Sequence, residues 1–148
     1  MLCFSLYAAS RATSQAYRAV LVEHDLTYPQ FLVLVALDDQ GDSTVAELGQ
    51  LMFLDSGTLS PLVKRLERRG LVTRTRPANN ERVLIVGLTD EGIRVREEIA
   101  DAVQPLTPAY GVDAAGLAEL LPQLHAIRNG MTDLTESLRT TNTKEPTL

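Results

Sequence analysis

The stretch from Thr44 to Thr89 constrains the fold of this chain most, because its pattern predicts two short helices followed by a β-hairpin. Thr44 and Glu47 have the spacing of a capping box, which marks the start of a helix. A short turn leads to a second helix with one apolar face, which Gly70 is suited to end. Two strands then flank a turn at 77–80. This order predicts a winged helix-turn-helix in a chain that is mainly α-helical with a small β-hairpin wing.

Positive charge is concentrated in the same stretch. Between Asp55 and Arg82 there are seven basic and three acidic residues, a net charge of +4, whereas the whole chain carries −5. A basic patch on an acidic protein is typical of a nucleic-acid contact, although a solvated helix and hairpin can also be charged. The side chains predicted to contact DNA are Ser56, Thr58, Ser60, Lys64, Arg65, Arg68, Arg76 and Arg82.

Length and composition limit the other possibilities. The 148 residues suffice for one domain with a hydrophobic core. A single cysteine excludes an internal disulfide and suits a reducing compartment. Two histidines and one cysteine are few ligands for a metal, and we predict neither a metal nor a cofactor. Charged residues interrupt the apolar runs and no secretion signal is recognisable, which predicts a cytoplasmic protein without a membrane span.

The N-terminal segment, residues 2–23, is predicted to form one long helix with a wide apolar face. Cys3, Tyr7 and Tyr17 lie along one stripe of this helix. Tyr7 is one turn from Cys3 and can contact it. Tyr17 lies fourteen residues further on, roughly 21 Å along the helix axis, so only a second chain can bring a Tyr17 to this cysteine. The next helix is predicted to start with a capping box at Thr27 and to carry Tyr28.

After the wing, Thr89 is predicted to cap a helix that runs to about Val103, and a loop is predicted at 107–112. The last helix has apolar residues that alternate in steps of three and four, as in a coiled coil. So long a seam predicts a homodimer, with a long core helix in a monomer as the alternative. We expect a kink near Pro122. The predicted organisation is a single domain, 1–139, with dimerisation helices at 1–24 and 113–138 and a winged helix-turn-helix at 28–89, followed by a polar tail at 140–148.

Taken together, these residues resemble the MarR family of dimeric winged-helix regulators, and within it the organic hydroperoxide resistance regulators. The segments that carry the resemblance are 2–11, 26–31, 54–62, 64–67, 80–82 and 88–89. The resemblance implies a homodimer that represses transcription from an inverted-repeat site in double-stranded DNA. It places the helix at 56–69 in the major groove and Arg82 in the minor groove. The chain departs from the family at Asn80, where an aspartate is usual.

The resemblance also implies a redox sensor. Cys3 corresponds to the family's peroxide-sensing cysteine, and Tyr17 and Tyr28 correspond to tyrosines that reach the sulfur from the partner subunit. Tyr7 matches a further tyrosine of that pocket. An organic hydroperoxide would oxidise the Cys3 thiolate to a sulfenic acid and release the DNA. Because there is no second cysteine, the next step is reaction with a low-molecular-weight thiol, formation of a backbone sulfenamide or overoxidation.

Three other functions stay open at this point. A repressor of the same fold can be released by a non-covalent phenolic or drug-like ligand, with Cys3 incidental. A one-cysteine peroxidase would need substrate-positioning groups, but neither a βαβ pattern nor a nucleophile–base pair is recognisable, and we predict that the chain is not an enzyme. A protein-interaction module would fail to bind DNA even at low salt.

Overall fold

A computed structural model describes residues 1–78, 80 and 82–142, apart from the side chain of Asn142. The chain forms two compact units, Met1–Thr107 and a second that begins at Pro108. The helices are α1 (Leu2–Leu21), α2 (Tyr28–Gln40), α3 (Val45–Met52), α4 (Ser56–Arg68), α5 (Asp90–Val103) and α6 (Ala114–Asn142), with short 3-10 helices at Val22–His24 and Gln104–Tyr110. The strands are β1 (Ser43–Thr44), β2 (Val72–Thr75) and β3 (Ile85–Leu88).

The helix starts that the sequence predicted are confirmed. The backbone N–H of Thr44 donates to Glu47 Oε2 at 2.7 Å, and the N–H of Glu47 donates to Thr44 Oγ1 at 3.1 Å. Thr27 and Gln30 form the same reciprocal capping box at the start of α2. Thr89 Oγ1 accepts the N–H of Gly92 at 2.9 Å at the start of α5. Each cap supplies acceptors for N–H groups that have no partner within their helix.

The sheet has three antiparallel strands in the order β1–β3–β2, one strand more than the predicted hairpin. In the hairpin Val72 pairs with Leu88 and Thr75 pairs with Ile85. The additional strand, β1, is only two residues long and pairs Ser43 with Val86. Two residues are too few to show the alternation of apolar and polar side chains by which a strand is predicted from sequence. This segment is a strand only because it pairs with β3.

The core of the first unit joins α1, α2 and α5 to the helix-turn-helix and the sheet. Its largest fully buried side chains are Leu21, Leu34, Leu48, Leu59, Leu66 and Ile99. The turn between α3 and α4 needs Phe53 in the left-handed region, at φ 54°. Because Leu59, Val63 and Leu66 of α4 are buried in this core, the opposite face of α4 is left for solvent or a partner.

The predicted boundaries were wrong at three places. The α1 helix ends at Leu21 and continues as a 3-10 turn, and another 3-10 helix replaces most of the loop predicted before α6. In the second unit α6 continues past 138 to Asn142, and the hydroxyls of Thr140 and Thr141 donate to the Ser137 carbonyl in this extra turn. The rest of the predicted polar tail, 143–148, lies outside the described residues.

Two further features concern the long helices. The α6 helix is assigned as continuous through Pro122, and the kink expected there stays a prediction. In the part of the chain that the structure describes, no single helix is long and apolar enough to cross a membrane. One bent pair, Leu2–His24 with Tyr28–Gln40 at 83°, satisfies the criterion of length and composition.

Candidate nucleic-acid interface and sensor site

The start of α4 is held by Asp55. Its Oδ1 accepts the backbone N–H of Thr58 at 2.9 Å, and its Oδ2 accepts the Thr58 hydroxyl at 2.8 Å. Both hydrogen bonds favour the charged carboxylate and therefore lower the pKa of Asp55. The bond from the Thr58 hydroxyl has the larger effect, and the bond from the Thr58 backbone N–H has the smaller. Thr58 was predicted to contact DNA. Since its hydroxyl proton is already donated to Asp55, it can contact a base only as an acceptor.

The outward face of α4 is polar and basic. Leu59, Val63 and Leu66 are buried on the inner face. The predicted DNA-contacting residues of this helix are all exposed: Ser56, Thr58, Ser60, Lys64, Arg65 and Arg68. The structure therefore brings six of the eight predicted contacts together on one helix, in the form that a recognition helix needs to enter a major groove.

Two arginines of the basic stretch bind within the protein instead. Arg74 makes a two-point ion pair with Glu67, with nitrogen–oxygen distances of 2.8 and 2.7 Å, and so ties β2 to α4. Arg69 donates to the carbonyl oxygens of His24 and Asp25. Counting charges along the sequence could not separate these structural arginines from the exposed ones, because their partners are defined only by the fold.

The hairpin turn is organised by Asn80. Its Oδ1 accepts the backbone N–H of Arg82 at 3.2 Å, and its carbonyl accepts the N–H of Val83 at 3.2 Å. A side-chain amide that accepts the N–H two residues further on mimics a backbone turn. Arg82 follows this turn and is exposed, and Arg76 is exposed just after β2. The sequence placed Asn80 in the predicted turn at 77–80 and marked it as a departure from the family, but its side-chain hydrogen bond to Arg82 was missed.

Cys3 is exposed in the first turn of α1. The large apolar side chains around it are also exposed in the single chain: Leu2, Phe4 and Tyr7 have 63%, 70% and 63% of their surface accessible. A cysteine and three large apolar groups at one end of a helix form a surface that a second chain can cover.

The other two predicted sensor residues lie together near the opposite end of α1. The rings of Tyr17 and Tyr28 are 4.6 Å apart between centroids and tilted by 32°, and Phe31 packs 6.0 Å from Tyr17. This contact joins α1 to the first residue of α2. The predicted sensor residues of one chain are thus divided into two groups, one with the sulfur and one with the two stacked tyrosines.

A cavity of about 840 Å³ lies beside Tyr28. Its walls come from α1, the α1–α2 connector, the start of α2 and the end of α4. The basic side chains that line it are Arg18, Arg65, Arg68 and Arg69. Within the residues that the structure describes, no group of three histidine, cysteine, aspartate or glutamate side chains is placed to hold a metal ion.

The three-stranded sheet and the exposed α4 define a winged-helix regulator of transcription. Residues 24–82 match the sequence model of a protein family, which is described as the MarR family. The chain belongs to the MarR family, and it is accordingly a transcriptional regulator and not an enzyme. The predicted fold class and family are confirmed.

Two curated relatives illustrate the similarity. The organic hydroperoxide resistance transcriptional regulator of Bacillus subtilis is 42% identical over 131 residues, which cover 84% of this chain and 89% of that protein. The HTH-type transcriptional regulator TtmR of Methylorubrum extorquens is 52% identical over 91 residues. That match covers 62% of this chain and 47% of TtmR, so the chain spans about half the length of TtmR.

Among solved structures, reduced AbfR bound to DNA superimposes with a TM-score of 0.79 and 33% identity over 90% of this chain and 92% of that one. A crystal structure of AbfR of Staphylococcus epidermidis superimposes with a TM-score of 0.77 and 32% identity over 91% of each chain. Other structures hold AbfR in an overoxidized form bound to DNA and in a disulfide form.

Proposed function

We propose that this chain is a homodimeric, DNA-binding repressor that senses organic hydroperoxides by oxidation of Cys3. The observation that carries the proposal is the division of the sensor residues between the two ends of α1. Tyr17 and Tyr28 are stacked together at 4.6 Å, while the sulfur lies near the other end of the helix. The similarity to the B. subtilis organic hydroperoxide resistance regulator supports the same role for this chain.

Exposed apolar surface supports a dimer. The seam of α6 comprises Leu117, Leu120, Leu124, Ile127, Met131, Leu134 and Leu138, and Met131, Leu134 and Leu138 each have more than half of their surface accessible. Each large apolar side chain that a partner covers contributes about 1.5–3 kcal/mol. A second copy of the chain can bury this seam together with the apolar end of α1 and bring Cys3 to the partner's tyrosine pair.

DNA binding is proposed through α4 and the wing. The exposed polar and basic face of α4 suits the major groove, and Arg82 suits the minor groove beside it. AbfR, which shares the fold, has been solved bound to DNA. A two-fold dimer presents two such surfaces, and we expect it to bind an inverted repeat with half-sites about one helical turn apart.

The sensing chemistry needs only Cys3 and the peroxide. The thiolate attacks the terminal oxygen of the hydroperoxide, a sulfur–oxygen bond forms and the oxygen–oxygen bond breaks. The alkoxide leaves and takes up a proton as the alcohol. Sulfur loses two electrons and becomes a sulfenic acid, whose O–H is the terminal O–H of the hydroperoxide, and the peroxide gains the same two electrons. A low-molecular-weight thiol can then form a mixed disulfide with Cys3 and release water.

Release of DNA follows from the demands of the oxidised sulfur. A sulfenic acid or mixed disulfide is larger than a thiolate and hydrogen-bonds differently, so the tyrosine pair of the partner must shift to accommodate it. Because those tyrosines join α1 to α2, the shift changes the spacing of the two recognition helices.

The cavity supports a second candidate function. Tyr28 and Pro29 line it together with the exposed arginines Arg18, Arg65 and Arg68, and this lining would suit a phenolic or other anionic ligand that binds without a covalent bond. Operator binding over a titration with tert-butyl hydroperoxide separates the two candidates. The redox repressor loses its operator as the thiol disappears, whereas a ligand-released repressor keeps its operator under the same treatment.

Replacing Arg82 with alanine is expected to weaken operator binding. It should also reduce the steepness of log affinity against log salt concentration by about one, because one positive charge close to the DNA phosphates is lost. Arg94→Ala is the matched control, since Arg94 is an exposed arginine of α5 that pairs with Glu91 and Glu98. An Arg82→Ala protein with the affinity and salt slope of Arg94→Ala would show that the wing does not contact DNA.

Replacing Tyr17 with phenylalanine is expected to slow oxidation of Cys3 about tenfold or more, because a hydrogen bond to the thiolate is lost. Mixed dimers test whether the contact crosses between subunits. In one, a subunit carrying both Cys3→Ser and Tyr17→Phe pairs with a wild-type subunit, and the remaining thiol should react slowly. In the other, the two substitutions are on different subunits, and the remaining thiol should react normally. The reverse order of rates would place the contact within one chain.

A further inference from the structure

The side chain of Arg69 crosses from the end of α4 to the connector between α1 and α2. Its terminal nitrogens donate hydrogen bonds to the backbone carbonyl oxygen of His24, at 2.8 Å, and to that of Asp25. These carbonyls lie 45 and 44 residues earlier in the chain. We call this pair of hydrogen bonds the Arg69 clamp. Arg69 is not one of the arginines that were predicted to contact DNA.

The clamp is fixed firmly to α4. The backbone N–H of Arg69 donates to the carbonyls of Arg65 and Leu66 at 3.2 Å each, and the N–H of Leu71 donates to Leu66 at 3.1 Å. Gly70 turns the chain at φ 71°, where a side chain would be strained. Because the Arg69 backbone belongs to this closed turn, a displacement of its guanidinium acts on the last turn of the recognition helix.

The other end of the clamp is the turn directly ahead of Tyr28. Asp25 is left-handed at φ 51°, its N–H donates to Val22, and the N–H of Leu26 donates to Leu21, both at 3.2 Å. Carbonyls at such a helix end have no partner within the helix and attract a cation. The planar guanidinium, with several donors in fixed directions, can satisfy two of them together.

The space around the clamp leaves room for movement. The cavity of about 840 Å³ lies between the connector and start of α2 on one side and the end of α4 on the other, and Arg69 itself lines it. At this end of α2, open volume separates the element that carries Tyr28 from the recognition helix. The Arg69 clamp bridges that volume, so it is a direct mechanical link from the tyrosine pair to α4.

We infer that Arg69 is a positioning residue that couples the Tyr17–Tyr28 pair to the recognition helix. The inference rests on the proposed function. When oxidised sulfur displaces the tyrosine pair, the turn at Asp25 moves, and the clamp carries that movement to the end of α4. Arg69 takes no part in the oxidation itself. Its loss should therefore leave sensing intact and weaken the transmission to DNA.

The test compares operator affinity before and after oxidation in wild type, Arg69→Gln and Arg69→Lys. Each dimer is treated with tert-butyl hydroperoxide until a thiol probe shows the same loss of Cys3. Arg69→Gln should oxidise at the wild-type rate, but its ratio of reduced to oxidised affinity should be at least about fivefold smaller, the low end of typical couplings. Arg69→Lys keeps the charge on a more compact donor and should give an intermediate ratio.

Arg68→Gln is the matched control, because it removes the same charge one residue earlier from an exposed side chain of the same cavity. It should lower both affinities together and leave their ratio unchanged. A wild-type ratio in Arg69→Gln would overturn the clamp alone. If Arg69→Gln does not fold, a wild-type ratio in Arg69→Lys would do so. A wild type that keeps its operator after Cys3 is oxidised would contradict the proposed function, and the clamp with it.

Discussion

Replacing Cys3 with serine is expected to leave the protein bound to its operator at an organic hydroperoxide concentration that removes the wild type from DNA. Serine keeps a small hydrogen-bonding group at the start of α1, where Cys3 is exposed. Its hydroxyl can still bind the partner's tyrosines, so the reduced, DNA-binding form should be retained. Serine cannot form a sulfenic acid, and the switch should be lost.

The expected difference is large. Emptying an occupied operator needs about a hundredfold loss of affinity, or ~2.8 kcal/mol, since each tenfold step is about 1.4 kcal/mol. The measurement is operator binding by both proteins over a titration with tert-butyl hydroperoxide, followed by a thiol reductant. Wild type should release and then rebind, and Cys3→Ser should stay bound throughout. If both proteins dissociate at the same dose, Cys3 is incidental and the ligand-released repressor takes its place.

The sequence predicted those parts of the fold that depend on neighbouring residues. The capping residues Thr27, Thr44 and Thr89 each act within three or four positions, so their spacing was sufficient to locate the starts of α2, α3 and α5. The alternating apolar face of α4 and the ending at Gly70 are local in the same way. Local chemistry therefore sufficed to recognise a winged helix-turn-helix before any tertiary contact was known.

Features that depend on distant residues were not predictable in this way. The Arg69 clamp and β1 are each defined by a partner about forty residues away, and no spacing rule indicates either of them. The ion pair of Arg74 with Glu67 joins a strand to a helix across a turn. In the candidate sensor, the stacking of Tyr17 on Tyr28 depends on how α1 and α2 pack, which the sequence pattern alone did not determine.

Gly92 shows how tertiary structure can reverse an expectation from sequence. It lies in α5, where alanine in place of glycine ordinarily stabilises a helix by about 1 kcal/mol. A Cβ atom built on Gly92, however, would lie 2.0 Å from the Leu71 carbonyl oxygen. That oxygen also accepts the N–H of Thr89 at 3.2 Å, and the Thr89 hydroxyl donates to Gly70 at 2.6 Å. The close contact is thus with backbone held at the end of the recognition helix.

We therefore expect Gly92→Ala to lower the free energy of unfolding by about 3 kcal/mol, at the upper end of the usual cost of overpacking, because neither α5 nor the Leu71 backbone can yield without breaking hydrogen bonds. For a chain of this size each kcal/mol corresponds to about 2–4 °C in Tm. Gly130→Ala is the matched control in α6, since no atom beyond its chain neighbours and the adjacent backbone of its own helix lies within 4 Å of an added Cβ. It should raise stability by about 0.5–1 kcal/mol. Thermal unfolding at one protomer concentration compares the two variants, and a Gly92→Ala protein as stable as Gly130→Ala would refute the close packing of α5 on Leu71.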